Sequence, residues 1–177
     1  MGTGVPAAAS IVDPGGLVTC REREELLSYL HRALAALGAE GEVRVRLVGD
    51  REMGAAHERF SGIPGTTDVL TFDMRGDDDD LVGAGDDALA GGTPASGGAL
   101  DVDIWACVDE ARRHADAMGH ALGRELLLYC LHGVLHCRGY DDHDPGEHAR
   151  MHAEEDRILE LIGVGRTFAP GAGGGAA

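Results

Sequence analysis

Leu131-His132-Gly133-Val134-Leu135-His136-Cys137-Arg138-Gly139-Tyr140-Asp141-Asp142-His143 is the stretch on which the reading of this chain turns. With the leucine run Leu126-Leu127-Leu128 just before it, the spacing predicts a helix from Gly123 to Cys137 that stops at Gly139. Residues four apart on a helix stand one above the other, so His132 and His136 present two imidazoles to one point in space. That is how a helix offers two ligands to zinc. Gly139 lets the chain turn sharply, and such a turn brings His143 back over the same face as a third ligand. Three protein nitrogens leave the fourth position of a tetrahedral zinc to water, the arrangement of a catalytic rather than a structural site. An i,i+4 histidine pair is ordinarily polar surface or core filling. The leucine run, the helix-stopping glycine and a further histidine within one turn set this pair apart. His148 and His152 share the spacing in a charge-rich segment with no stop and return after them, and they read as solvated.

Outward from this helix, the remaining pattern mixes strands and helices. Thr19-Cys20-Arg21-Glu22 has the spacing of a capping box, and Leu26, Leu30, Ala33, Leu34 and Leu37 recur at helical period until Gly38. In Glu42–Val48 the apolar residues alternate with Arg44 and Arg46, a strand with one solvated face. Asp50 reads as the cap of a short helix to about Phe60, and Ser61-Gly62-Ile63-Pro64-Gly65 then breaks regularity. Further strands are expected near 67–72 and 100–106, and a fourth near 8–12. Val108 to about Met118 is helical, and Asp144-Pro145 with Glu147 opens a last helix whose Met151, Ile158, Leu159 and Ile162 pack inward. The fold class expected is α+β: a small mixed sheet of about four strands covered by helices, with the metal-binding helix central.

With 177 residues the chain suits one domain, drawn here as residues 1–165 with a flexible tail at 166–177. Residues 75–99 hold six acids against one base among many glycines and read as a mobile loop inserted within that domain. No run approaches the roughly 18 apolar residues of a membrane span, and the N-terminal stretch lacks the basic start and apolar core of a signal peptide. A soluble, cytoplasmic protein with no membrane partner is the expectation. Every basic residue is Arg, and the formal charge of −16 repels polyanions at long range. Setting residues 75–99 aside still leaves 25 acids against 14 bases, so any contact with nucleic acid must come from a local basic groove. Cys20, Cys107, Cys130 and Cys137 form no C-x-x-C pair and read as buried, reduced thiols.

At this point the chain resembles the YbeY endoribonucleases, the ribosomal RNA maturation factors. Their H-G-x-L-H-L-x-G-Y-D-H signature is in register with His132-Gly133-Val134-Leu135-His136-Cys137-Arg138-Gly139-Tyr140-Asp141. Thr66-Thr67-Asp68-Val69-Leu70-Thr71-Phe72 is similar to the family's P-T-D-V-L-S-F block, Leu100 to Ile104 to its G-D-I-x-I strand, and Met151 to Glu155 to its M-x-x-x-E. The resemblance covers roughly residues 40 to 162. It implies a zincin-like fold, one Zn²⁺ per chain, and cleavage of single-stranded RNA in ribosomal RNA processing, including maturation of the 16S 3′ end, and in ribosome quality control. The implied partners are ribosomal RNA, the small ribosomal subunit and its assembly factors.

Three departures stand out. The family's third histidine stands six positions after the second, where this chain has Asp142, with His143 following; His143 is the favoured third ligand and Asp142 the alternative, since carboxylate oxygen also binds zinc. Ser61 follows Phe60 where the family often carries an Arg, leaving Arg59 or another Arg to substitute. The acidic loop has no counterpart in the motif. Compared with the H-E-x-x-H of zincin peptidases, Gly133 replaces the catalytic Glu, which argues against peptide hydrolysis and leaves a zinc-bound water to assist phosphodiester cleavage. Glu125, seven residues before His132 on one helix face, and Asp141 are the candidate acids and bases. Arg44, Arg46, Arg112 and Arg113 are the candidate RNA contacts. A zincin-like peptidase, and a non-catalytic ribosome-assembly factor with a structural zinc, are the rival readings.

Overall fold

Alternation along two eight-residue strands sets the architecture. The computed structural model describes residues 6–75 and 98–167, in the order β1 (Ala8–Val12), α1 (Cys20–Ala36), β2 (Gly41–Val48), α2 (Asp50–Ser61), β3 (Val69–Asp73), β4 (Leu100–Cys107), α3 (Val108–Met118), α4 (Leu122–Cys137) and α5 (Pro145–Leu161). Nearly all of the expected acidic insertion, and all but two residues of the expected tail, lie outside the described residues.

The sheet order is β1-β2-β4-β3. β2 runs parallel to β1 on one side and to β4 on the other, and β3 closes the far edge antiparallel to β4. Val43, Val45 and Leu47 stand beside Val102, Ile104 and Ala106 on one face, and there they join α1 and α4 in the main core. The alternate residues Arg44, Arg46, Asp103 and Trp105 point to the opposite face. α2 lies against that second face, where Met53, Ala56, Leu70 and Phe72 form a smaller cluster and Phe60 meets the Phe72 ring edge-on at 5.0 Å.

α4 packs against α1, α3, α5, β3 and β4, and Leu126, Leu127, Cys130, Leu131, Val134 and Leu135 are all buried. A fully buried leucine contributes roughly 1.5–3 kcal/mol, so this helix is the best anchored element of the fold. Its Gly133 is set by packing: a Cβ there would lie 2.3 Å from Thr71 Oγ1 on β3. The helix that carries His132 and His136 is therefore central, as the sequence implied.

Local chemistry explains the boundaries. α1 opens on the capping box, with Glu22 N–H donating to Thr19 Oγ1 at 3.2 Å and Thr19 N–H to the Glu22 carboxylate at 2.8 Å. Asp144 caps α5 through the N–H groups of Gly146 and Glu147. α2 differs from expectation. Gly49 is its cap residue, and Asp50 lies in the first turn with its N–H donating to Asp109 Oδ2 of α3 at 2.9 Å. β3 starts at Val69, because Asp68 Oδ1 accepts the N–H of Val69 and the hydroxyl of Thr67 and turns the chain there. Cys107, Cys130 and Cys137 are buried, but Cys20 is exposed at the start of α1, so only three of the four thiols follow the sequence reading. Among the described residues no helix is long and apolar enough to cross a membrane.

Candidate metal centre

The last two turns of α4 carry His132 and His136, whose Nε2 atoms lie 3.0 Å apart. Each ring is held by its other nitrogen. His132 Nδ1 donates to Glu155 Oε1 of α5 at 3.0 Å, and His136 Nδ1 donates to the Tyr140 carbonyl at 3.1 Å. A carboxylate and a carbonyl only accept, so both protons sit on Nδ1 and both Nε2 lone pairs face each other. Two lone pairs across 3.0 Å repel unless positive charge lies between them. Without a metal cation, only a proton on one Nε2 can supply that charge. Burial opposes it at both rings, but at His132 the Glu155 hydrogen bond and charge, helped by Asp142 and Asp68, outweigh burial and hold the pKa above the ordinary 6.5. At His136 burial and the neighbouring His132 charge push it below.

The turn after the helix decides the third group. Gly139 takes a positive φ of 91°, and Tyr140 N–H returns to the Leu135 carbonyl at 3.1 Å. This tight return brings Asp142, six positions after His136, to the pair: its Oδ2 lies 3.6 Å from His132 Nε2 and 3.7 Å from His136 Nε2. His143, the ligand favoured from sequence, is not in this group; its side chain is 57% exposed and its ring is held by Asp141. The Asp141 carboxylate also accepts the N–H groups of Asp142 and His143, a turn that places the Asp142 side chain, rather than that of His143, beside the pair. Asp141, a candidate acid or base, is exposed and committed to that turn. Its His143 hydrogen bond keeps its carboxyl below the usual range.

Glu125 is two turns before His132 and buried, and it lines the same cavity of about 280 Å³ as His132 and Asp142. Its two oxygens meet His114 Nδ1 at 3.0 Å and His120 Nε2 at 3.2 Å. A neighbouring cavity of about 370 Å³ shares Asp68, His114 and Tyr129 with this one, so the two make one trough over the N-terminal end of β3.

The four candidate arginines do not gather at this trough. Arg44 and Arg46 project from the sheet face opposite α4; Arg44 pairs with Asp101 and Asp103, and Arg46 with Glu52 while lying over the Trp105 ring. Arg112 binds the Leu17 carbonyl and faces Asp109, and Arg113 is held by Asp50 and Glu110. Alternation in the strand gave their polar face correctly, but the acids opposite them come from distant segments. Ser61 ends α2 with a buried hydroxyl, and Arg59 lies over the Phe60 ring. Arg138 and Arg75 line a separate cavity of about 650 Å³ beyond Tyr140. Arg75 holds the Cys137 carbonyl at 2.6 Å, and among the described residues no carboxylate pairs with Arg138.

Glu155, Asp68, His114 and His120 were missed as site residues. Asp68 and Glu155 stood inside the family-like blocks, which gave a signal without a role; His114 and His120 gave none. Two imidazole nitrogens with fixed tautomers and one carboxylate oxygen suit zinc or another borderline divalent cation, and the opposed lone pairs are the feature that such an ion relieves.

A family model described as Endoribonuclease YbeY matches residues 20–163. The chain is 38% identical over 141 residues to the Endoribonuclease YbeY of Mycolicibacterium paratuberculosis, covering 77% of this chain and 73% of that one. It is 37% identical, with the same coverage, to the Endoribonuclease YbeY of Mycobacterium tuberculosis. The solution structure of TM1509 from Thermotoga maritima matches 87% of this chain and 88% of its own, with a TM-score of 0.55 at 21% identity, a likeness of fold.

Proposed function

The chain belongs to the YbeY endoribonuclease family, and from that premise we propose that it is a zinc-dependent nuclease that cuts single-stranded RNA. Its setting in this reading is the cytoplasm, in processing of the 16S ribosomal RNA 3′ end and in ribosome quality control, with the small ribosomal subunit and its assembly factors as partners. The observation that carries the metal dependence is the pair of Nε2 lone pairs facing each other across 3.0 Å, each fixed by a hydrogen bond behind it.

One Zn²⁺ per chain is held by His132, His136 and Asp142. When bound, zinc supplies a Lewis acid for a phosphoryl oxygen and lowers the pKa of water. The protein groups do the rest. Glu155 keeps His132 in the Nδ1–H tautomer, the Tyr140 carbonyl does the same for His136, and Asp142 brings the negative charge that partly neutralises the ion. Glu125 holds His114 and His120 in the trough, where an imidazole can take or return a proton to a reacting oxygen. The two adjoining cavities, of about 280 and 370 Å³, are the space into which unpaired RNA would be laid. With the candidate arginines paired to acids and Arg75 held by Asp73, Arg138 is the local cation beside the turn that follows α4.

Gly133 weighs against a peptidase. The general base of H-E-x-x-H stands at this position, and here Thr71 occupies the space that any side chain would need. Ser61 in place of the family Arg, together with the paired arginines, favours the assembly-factor reading as the second choice.

The test is to incubate zinc-loaded protein with single-stranded RNA, duplex RNA and an unstructured peptide, each with and without chelator. Cleavage of single-stranded RNA alone, lost with chelator and restored by zinc, is expected. Retained metal with no cleavage of any RNA would overturn the nuclease in favour of the assembly factor, and peptide cleavage would favour the peptidase.

A further inference from the structure

α5 carries a second histidine pair, His148 and His152, whose ring centroids are 3.9 Å apart. Both line the 280 Å³ cavity that His132 and Asp142 also line. One turn further on, Glu155 is 1% exposed, and its two oxygens have different fates. Oε1 accepts the hydrogen bond of His132 Nδ1, while Oε2 is buried with no hydrogen-bond partner among the described residues. A buried carboxylate oxygen left unpaired is costly, so its surroundings point to a missing positive ligand. The imidazole facing it is His152, with Nε2 at 3.9 Å. That gap is too long for a hydrogen bond. It matches the 3.6 and 3.7 Å gaps between Asp142 and the two imidazoles of the inner cluster, and it is the order of spacing between two donors on one cation with bonds of about 2.0–2.2 Å.

We propose that Glu155 Oε2, His152 and His148 form an outer site for a second divalent transition cation. The i,i+4 spacing puts His148 and His152 on one face of α5 with their rings 3.9 Å apart, and the exposed His148 is free of packing that would hold its ring away from the focus. Two imidazoles and one carboxylate select zinc, cobalt, nickel or copper over magnesium or calcium. The exposed, rotating ligand makes this site the weaker of the two. The sites also share Glu155. A cation on Oε2 draws charge from the oxygen that orients His132 and repels an ion at the inner cluster, so occupancy of each site weakens the other by the same factor. None of this depends on RNA cleavage.

The test is calorimetric titration of the metal-free full-length chain with Co²⁺ and with Zn²⁺, followed for cobalt by its visible absorption. The wild type should take two equivalents, one tight and one weaker. His148→Ala/His152→Ala should take one tight equivalent, and His132→Ala/His136→Ala should keep the weaker one. His143→Ala should still take two, which separates the outer site from the exposed Asp141, Asp142 and His143 group. Thermal unfolding of each metal-free variant checks that the fold is kept. Saturation of the wild type at one equivalent, or a second equivalent that survives His148→Ala/His152→Ala, would overturn the proposal. A chain that binds two equivalents but cleaves no RNA would overturn the nuclease reading and leave the outer site standing.

Discussion

Replacing Gly133 by Ala sets two effects of opposite sign against each other. In a helix interior Ala is favoured over Gly by about 1 kcal/mol. Here the new Cβ would stand 2.3 Å from Thr71 Oγ1 and 3.4 Å from Thr71 Cβ and Cγ2. Thr71 is 4% exposed and paired with Ile104 across the sheet, so β3 cannot retreat without disturbing β4. Overpacking of that kind costs about 1–3 kcal/mol, and the net expectation is a loss of up to about 2 kcal/mol. Thr71→Ala removes the offending oxygen and leaves only the 3.4 Å Cβ–Cβ approach, which is ordinary contact. The double variant should therefore be more stable than the sum of the single effects by about 1–3 kcal/mol. Zinc affinity should follow the same pattern, because Gly133 lies between the two ligating histidines and any shift of α4 off β3 moves them. Urea unfolding of the metal-free proteins measures the cycle, and zinc titration measures its effect on the site. A Gly133→Ala protein that is more stable than wild type by about the propensity gain, with an additive cycle, would refute the close-packing argument.

Three further outcomes are expected. His132→Ala, His136→Ala and Asp142→Ala should each weaken the tight zinc site, and His143→Ala should leave it nearly unchanged; equal losses in the Asp142 and His143 variants, read by metal analysis, would contradict the assigned third ligand. Because the His132 pKa is raised, its contribution to the bare fold is complete below the ordinary 6.5 and is lost as pH rises through the raised value, whereas zinc affinity, which needs the free nitrogen, should climb across the same window; parallel trends in thermal unfolding without metal and in zinc titration would refute this. Arg138→Ala should weaken binding of single-stranded RNA and lower its salt slope by about 1, while Arg44→Ala changes neither, and the reverse order in binding isotherms at several salt concentrations would restore the sheet arginines as the contact.

Much of this molecule was legible because local rules and tertiary need agree. The capping box at Thr19, the Asp144-Pro145 start and the alternation in Val43, Val45 and Leu47 each specify an element that packing then keeps. The i,i+4 histidines were legible for the same reason, since helix geometry alone brings their rings together. What could not be read is whatever depends on two distant segments. Arg44 meets Asp101 and Asp103 only through the register of β2 with β4, and Glu155 reaches His132 only because α5 packs across α4. The third member of the cluster lay between these cases. Six residues after His136 is a local distance, but the return of Asp142 rather than His143 depends on the carboxylate of Asp141 tying down the turn.

The order of the sheet also sets a timetable for a chain made from its N-terminus. β4 lies between β2 and β3, so the sheet under the metal helix cannot be completed until residue 107 has emerged. The two histidines follow it, but the carboxylate that fixes the tautomer of His132 comes 23 residues later. At about 5–20 residues per second, roughly one to four seconds pass between His136 and Glu155, in which the growing chain has both imidazoles and lacks the group that aims one of them. During synthesis the two imidazoles are thus in place first, and the carboxylate that orients His132 arrives only with α5.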